Sequence, residues 1–337
     1  MAASDEGSPG LSQPRYVPAL DGLRALSVLA VLAFHAELAG APGGFLGVEV
    51  FFVVSGYLIT ALLLLEERGS GAISLPKFWL RRARRLLPAL FAVLVVTLVA
   101  SLTLAPDALA ETCSDSVAAL FYVSNWWQVV HRHSYFMAIE RPPLLLHLWS
   151  LAIEEQFYLC WPLFIALLGR AMNRYLLPMA LLGATLAALW MAWIFDPQLD
   201  PTRVYVGTDT RLSGLLLGAA LAIITRPSLA RSEPKTPLAR AGAEGLAVGG
   251  LCSLLWAFAK ISSHDPNLYR GGLVLVDLAS CALIFSRWDA SCNNSSAACE
   301  RFSGVAAYCK NSGYTVSPAS RLGMVSDFTV INRSAIW

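Results

Sequence analysis

The sequence predicts an all-α, polytopic integral membrane bundle with about eight transmembrane helices and one further helix that lies on the surface or re-enters. Three observations carry that prediction. Hydrophobic residues fill 56% of the 337 positions and charged residues only 14%, and the mean hydropathy is +0.57, far from an average water-soluble domain. Windows of about twenty apolar residues follow one another, each long enough to cross a hydrocarbon core as a helix. Basic residues gather in alternate loops, as a membrane topology requires.

In chain order the apolar windows cover approximately 17–37, 45–65, 86–105, 144–168, 175–195, 211–225, 242–259 and 272–286. Segment 117–130 is amphipathic and aromatic and is expected not to cross. With the N-terminus in the cytoplasm of a cell (inner or plasma) membrane, the inward loops carry Arg68, Lys77, Arg81, Arg82, Arg84 and Arg85, then Arg170 and Arg174, then Arg226, Arg231, Lys235 and Arg240. The outward loop 196–209 sets Asp196, Asp200 and Asp209 against Arg203. A full crossing at 117–130 would invert every later loop and destroy this agreement.

Residues 1–15 form a polar cytoplasmic segment, and 16–287 the transmembrane domain. The first apolar stretch is too long and too charged for a cleavable leader, so it is expected to stay as a span. Residues 288–337 are polar and rich in Ser, Asn and Cys; they read as a disordered tail or as the product of an altered reading frame. The seven cysteines show no Cys-x-x-Cys pair, and Cys160, Cys252 and Cys281 are expected as small fillers within helices.

Ionisable residues inside the first span attract attention because charge is costly at membrane depth. Arg24 and His35 stand eleven residues apart, close to three helical turns, so they share a face about 16 Å apart along the axis. Asp21 joins the same side. One reading is a buried ion pair that sets helix packing; the other is a functional polar stripe facing a cavity. Histidine suits general-base work on a hydroxyl, and Glu49, entering the second span at nearly the same depth, is the expected orienting carboxylate.

Arg81, Arg82, Arg84 and Arg85 form a dense positive patch at the expected inner mouth of the third span. Guanidinium groups match phosphate oxygens in bidentate geometry; plain topology determination and attraction to membrane lipids explain the patch equally well. Its position at a bilayer excludes nucleic acid as partner. Glu154 and Glu155 open an apolar span but diverge by roughly 100°, so they cannot act as one dyad; one binds substrate while the other caps, or both merely favour a helix N-terminus. Asp209 and Arg211, opening the sixth span, either pair with each other, line an outer vestibule, or snorkel at the helix end. His131, His133 and His147 lack a third ligand at suitable spacing, so no metal site is expected.

Taken in order, Tyr16-Val17-Pro18-Ala19-Leu20-Asp21-Gly22-Leu23-Arg24-Ala25-Leu26, Phe34-His35, Gly47 through Thr60 (with Glu49-Val50-Phe51-Phe52 and Ser55-Gly56-Tyr57), the arginine run, and Trp149-Ser150-Leu151 through Glu154-Glu155-Gln156-Phe157-Tyr158 resemble the membrane-bound acyltransferase family 3. The resemblance implies O-acylation of a cell-surface polysaccharide, lipopolysaccharide, peptidoglycan or antibiotic. It implies acyl-CoA, typically acetyl-CoA, as a cytoplasmic co-substrate with no bound cofactor, and a surface carbohydrate or lipid-linked glycan as acceptor. The family's arginine-to-histidine spacing falls on Arg24 and His35, and its later arginine pair falls within Arg81 to Arg85. Family members usually carry about ten spans and a late Tyr-Leu-Trp-His-Trp-Pro kind of segment, which this sequence lacks, so a truncated or inactive relic is one alternative. A transporter of a small anionic solute is another, since charges in membrane helices also mark solute paths.

Overall fold

The computed structural model describes residues 18–131, 133–136, 143–168, 173–225 and 237–286. The expected N-terminal segment 1–15, the tail 288–337 and the basic residues Arg170, Arg226, Arg231 and Lys235 lie outside the described residues. Among the described residues every regular element is helical. Helices α1 (Pro18–His35) and α2 (Gly47–Ser70) form a hairpin joined through a 3-10 turn at Gly44–Leu46. There follow α3 (Leu75–Leu104), the short α4 (Leu109–Leu120) and α5 (Ser124–His131), then α6 (Trp149–Leu168) and α7 (Asn173–Ile194). A single turn, α8 (Thr202–Val206), leads into α9 (Thr208–Thr225) and α10 (Pro237–Lys260). The last of the described helices, α11, covers Leu268–Ser286.

Among the described residues, seven helices are long and apolar enough to cross a membrane: α2, α3, α6, α7, α9, α10 and α11. They coincide with seven of the eight expected spans. The first expected span is the helix α1, which is not among the seven; it is 18 residues long and carries Asp21 in its first turn, with Arg24 one turn on. The segment 117–130 splits into parts of α4 and α5, twelve and eight residues long. Neither reaches the roughly twenty residues that a crossing requires.

The third span departs from the expected boundaries. It begins at Leu75 rather than near 86, with Ser74 at its N-cap and Pro76 in its first turn, where a missing N–H costs nothing. The four arginines therefore sit within the helix instead of in a loop before it. Upstream, α2 stops at Gly71, whose φ of 84° is left-handed and whose N–H bonds the Glu67 carbonyl, as glycine allows at a helix end.

Helices α2 and α9 form the centre of the bundle, and α7 packs on the other side of α9. The approach of α2 to α9 depends on two glycines. A Cβ on Gly56 would lie 1.9 Å from the Leu215 carbonyl oxygen, and one on Gly218 would lie 2.0 Å from that of Val53. Small residues at such crossings let backbones touch where lipid supplies no hydrophobic drive. By contrast α3 turns Val95, Val96, Val99 and Leu102 outward, which suits contact with hydrocarbon. Cys160 and Cys252 lie within α6 and α10, as expected, with their side chains facing outward.

Candidate active site

His35 ends α1 on an exposed edge beside a layer of aromatic rings. Its Nδ1 lies 2.8 Å from the Val31 carbonyl oxygen. A carbonyl only accepts, so Nδ1 carries the hydrogen, and in neutral imidazole the lone pair then belongs to Nε2. That Nε2 stands 3.4 Å from the Tyr135 hydroxyl. Burial pushes the Tyr135 phenol up to about 12, so it stays an O–H donor at neutral pH. The Tyr135 backbone N–H is held by the Thr202 hydroxyl at 2.8 Å, and the preceding Ser134 donates to Asp200 at 2.7 Å. Residues 200–205 thus set the ring that faces the imidazole.

The expected His35–Glu49 pair is not formed. Glu49 lies on the first turn of α2 and faces inward, fully buried, where it forms an ion pair with the equally buried Arg211 of α9. The guanidinium wins because both partners are shut off from water, and an uncompensated charge there would cost several kcal/mol. Asp277 of α11 joins them: its carboxyl is within hydrogen-bond reach of both Glu49 and Ser213. Sequence reasoning missed Asp277, although the rule that singled out Arg24 applies equally to an aspartate within Val274-Leu275-Val276-Asp277-Leu278. Arg211 also stacks against rings, with Cζ 4.6 Å from the centroid of Tyr205 and 5.6 Å from that of Phe52.

Asp209 and Arg211, adjacent in the reading of the sequence, part company. Two residues apart on a helix, they point about 160° from each other by helical geometry. Asp209 is gripped instead by Arg203, at 3.0 and 2.7 Å, and by the Trp190 indole at 2.7 Å.

A second polar group gathers about three turns from His35. Asp21 and Arg24 pair at 3.5 Å, each side chain about half exposed. Arg82 lies over the Tyr158 ring, 4.6 Å from its centroid, and acts electrostatically on both Glu154 and Glu155. Tyr158 donates to Glu154 at 3.1 Å, while Arg24 acts on Glu154 and Arg85. Since α6 begins at Trp149, the two glutamates sit in its second turn and cap nothing. The arginines of the run differ in their contacts: Arg81 pairs with Glu66 at 3.2 Å, Arg82 turns toward Phe78 and Tyr158, and Arg84 and Arg85 are exposed.

Between the two groups, Gln156 ties α5, α6 and α9 together. It donates to the Tyr122 carbonyl at 2.7 Å and to Asn125 at 3.0 Å, and accepts from Thr208 at 2.6 Å. Asn125 in turn donates to the Val206 carbonyl at 3.1 Å. On the outer helices, His131 stacks on Trp127 with ring centroids 3.8 Å apart, and His133 faces Glu111 at 3.7 Å.

Residues 17–309 match the acyltransferase domain family that also describes the resemblance read from the sequence. The chain belongs to that family. This acyltransferase domain is 44% identical over 274 residues to the peptidoglycan O-acetyltransferase OatA of Listeria monocytogenes, covering 80% of the chain and 44% of that protein. It is 40% identical over 276 residues to the putative peptidoglycan O-acetyltransferase YrhL of Bacillus subtilis, covering 80% and 43%. A putative O-acetyltransferase of Staphylococcus aureus is 40% identical over 274 residues, covering 81% and 45%. The chain therefore spans less than half the length of these relatives. No solved structure matches it.

Proposed function

We propose that this acyltransferase domain moves an acetyl group from acetyl-CoA on the cytoplasmic side to a hydroxyl of a cell-wall glycan, of the peptidoglycan class, on the outer side. The observation that carries the reading is the tautomer of His35. With Nδ1–H tied to the Val31 carbonyl at 2.8 Å, Nε2 is the accepting nitrogen. The Tyr135 hydroxyl stands off it at 3.4 Å, and an acceptor hydroxyl entering at the exposed edge takes that place and gives Nε2 its proton. The freed oxygen attacks the thioester carbonyl, the C–S bond breaks, and the proton passes to the departing thiolate. Main-chain orientation does here what a carboxylate does for many catalytic histidines.

Arg24 and Arg82, with Arg85 near them, supply positive charge along the donor's route. Arg82 is the arginine turned inward, and it holds an anionic or carbonyl group of the donor as a preorganised cation. Arg81, Arg84 and Arg85 attract the nucleotide phosphates at the membrane surface. Asp21, Glu154 and Glu155 hold these cations in place. Residues 16–287 make up the transmembrane unit, with the N-terminus inside.

The test uses membranes carrying the full chain, acetyl-CoA labelled in its acetyl group, and a soluble peptidoglycan fragment. Transfer of label to the fragment is expected, and His35→Ala is expected to lower it by about 10²- to 10⁴-fold. Unchanged transfer by His35→Ala removes the base assignment. Label left on donor and water alone removes the enzyme reading, and accumulation of the fragment inside vesicles supports transport instead.

A further inference from the structure

The buried cluster behind His35 has a charge count that the transfer chemistry does not use. Glu49, Arg211 and Asp277 are each 0% exposed, and they come from three different helices. The two carboxyl groups converge: a Cβ placed on Gly214 would meet Asp277 Oδ1 at 2.8 Å and Glu49 Oε1 at 3.0 Å. Two carboxylates can only accept, so carboxyl oxygens in hydrogen-bond reach of each other need a proton between them. The four carboxyl oxygens, the Ser213 hydroxyl and the three Arg211 nitrogens lie close together, yet none completes a hydrogen bond of good geometry. One guanidinium against two carboxylates would also bury a net negative charge at a site closed to water, which costs several kcal/mol. A single proton supplies the donor missing between the two carboxyl groups and cancels the net charge.

The cluster touches the site through aromatic rings. Arg211 Cζ sits 4.6 Å from the Tyr205 centroid. Tyr205, also fully buried, has ring centroids 5.2 Å from Tyr135 and 4.8 Å from Trp149, and donates to the Phe45 carbonyl at 3.0 Å. Tyr135 is the ring whose hydroxyl faces His35 Nε2. The guanidinium therefore forms the support beneath the layer on which the imidazole works.

We propose that Glu49 and Asp277 share one proton and with Arg211 form a neutral clamp, in which Asp277 and Arg211 are positioning residues that hold Tyr205 and Tyr135 opposite His35. The positioning role rests on the proposed function; the charge balance does not.

The test uses the full chain purified in nanodiscs, as parent, Glu49→Gln, Asp277→Asn, the double variant, and the double variant with Arg211→Met. Each single amide leaves one carboxylate for one guanidinium, so its thermal midpoint is expected within about 3 °C of the parent. The double amide strands a buried cation and is expected to fall by about 10 °C or more. Adding Arg211→Met removes the stranded charge and restores the midpoint, while kcat for acetyl transfer falls at least tenfold with the KM for acetyl-CoA unchanged. Single amides as unstable as the double, or a triple variant that stays unstable, overturn the charge balance. A triple variant with the parent's kcat overturns the positioning role. An inactive parent overturns the proposed function and the positioning role with it, and the midpoints still decide the charge balance.

Discussion

Placing a methyl group on Gly56 probes the centre of the bundle directly. The new Cβ would sit 1.9 Å from the Leu215 carbonyl oxygen, 2.7 Å from its carbon and 3.0 Å from its Cα, all backbone atoms of α9. Ordinary contact begins near 3.4 Å, so α2 and α9 must part by about 1.5 Å at this level. Backbone cannot rotate aside as a long side chain can. Overpacking of this kind costs about 1–3 kcal/mol, and separating these helices also strains the Glu49–Arg211 pair, whose two members they carry. The cost at Gly56→Ala should therefore lie at the upper end, about 3 kcal/mol. Gly218→Ala attacks the same gap from the other side, 2.0 Å from the Val53 oxygen, so the two costs should combine to less than their sum once the helices have moved. The internal control is Gly242→Ala on α10, where a Cβ meets nothing within 4 Å and the substitution is neutral or slightly stabilising. Thermal unfolding of the purified chain, followed by tryptophan fluorescence, measures all three. A Gly56→Ala midpoint equal to that of Gly242→Ala would refute the close-crossing argument.

Three further outcomes are expected. Arg82→Ala should raise the KM for acetyl-CoA about tenfold through loss of one charge-assisted contact, with Arg84→Ala at the exposed edge having a smaller effect; equal effects in a donor titration would count against the inward role of Arg82. Gln156→Leu leaves Asn125, Thr208 and the Tyr122 carbonyl short of partners and should destabilise by about 2–3 kcal/mol, against a much smaller loss for Gln156→Glu if that carboxyl stays protonated; a leucine variant with the parent's midpoint would dispose of the network's structural role. Asp115, outside the spanning helices, has its carboxyl pushed up by burial and by Glu111, against the opposing pull of His133. The folded state then holds the proton more tightly than the unfolded chain, so stability is present at low pH and declines as pH rises from the ordinary Asp range through the raised value. Asp115→Asn keeps the oxygen that accepts the Trp127 N–H at 3.0 Å and should flatten that decline; midpoints measured from pH 4 to 8 that fall equally in both proteins would show the carboxyl is not responsible.

The spans were legible because lipid imposes one length and one composition on every crossing helix, and seven of the eight windows reappear, six of them within about five residues at each end. Legibility failed at the start of α3, where arginines looked like loop residues although a proline and a serine had already opened the helix. In the site, Asp21 and Arg24 pair as helical spacing requires, since both belong to one element. Glu49 and Arg211 could not be paired from sequence because depth along a span says nothing about azimuth, and partners on α2 and α9 are chosen by which faces turn inward. Asp209 illustrates the same point from the other side: six residues back, Arg203 reaches it across the α8 turn, a contact no helical periodicity describes. Tyr135 carried no signal at all, lying in an irregular loop whose path is fixed by Thr202 and Asp200 far along the chain.

The tether between the imidazole of residue 35 and the carbonyl four residues earlier has a consequence for how such a centre would be mapped genetically. Systematic replacement of side chains would find a histidine with no dyad mate, because the group that fixes its tautomer belongs to the polyamide itself and survives every exchange at position 31 except those that distort the helix. A lone essential histidine in such a survey would thus be the signature of a complete catalytic base. Isotope-edited spectroscopy of the ring nitrogens, rather than mutagenesis, is the method able to see its second half.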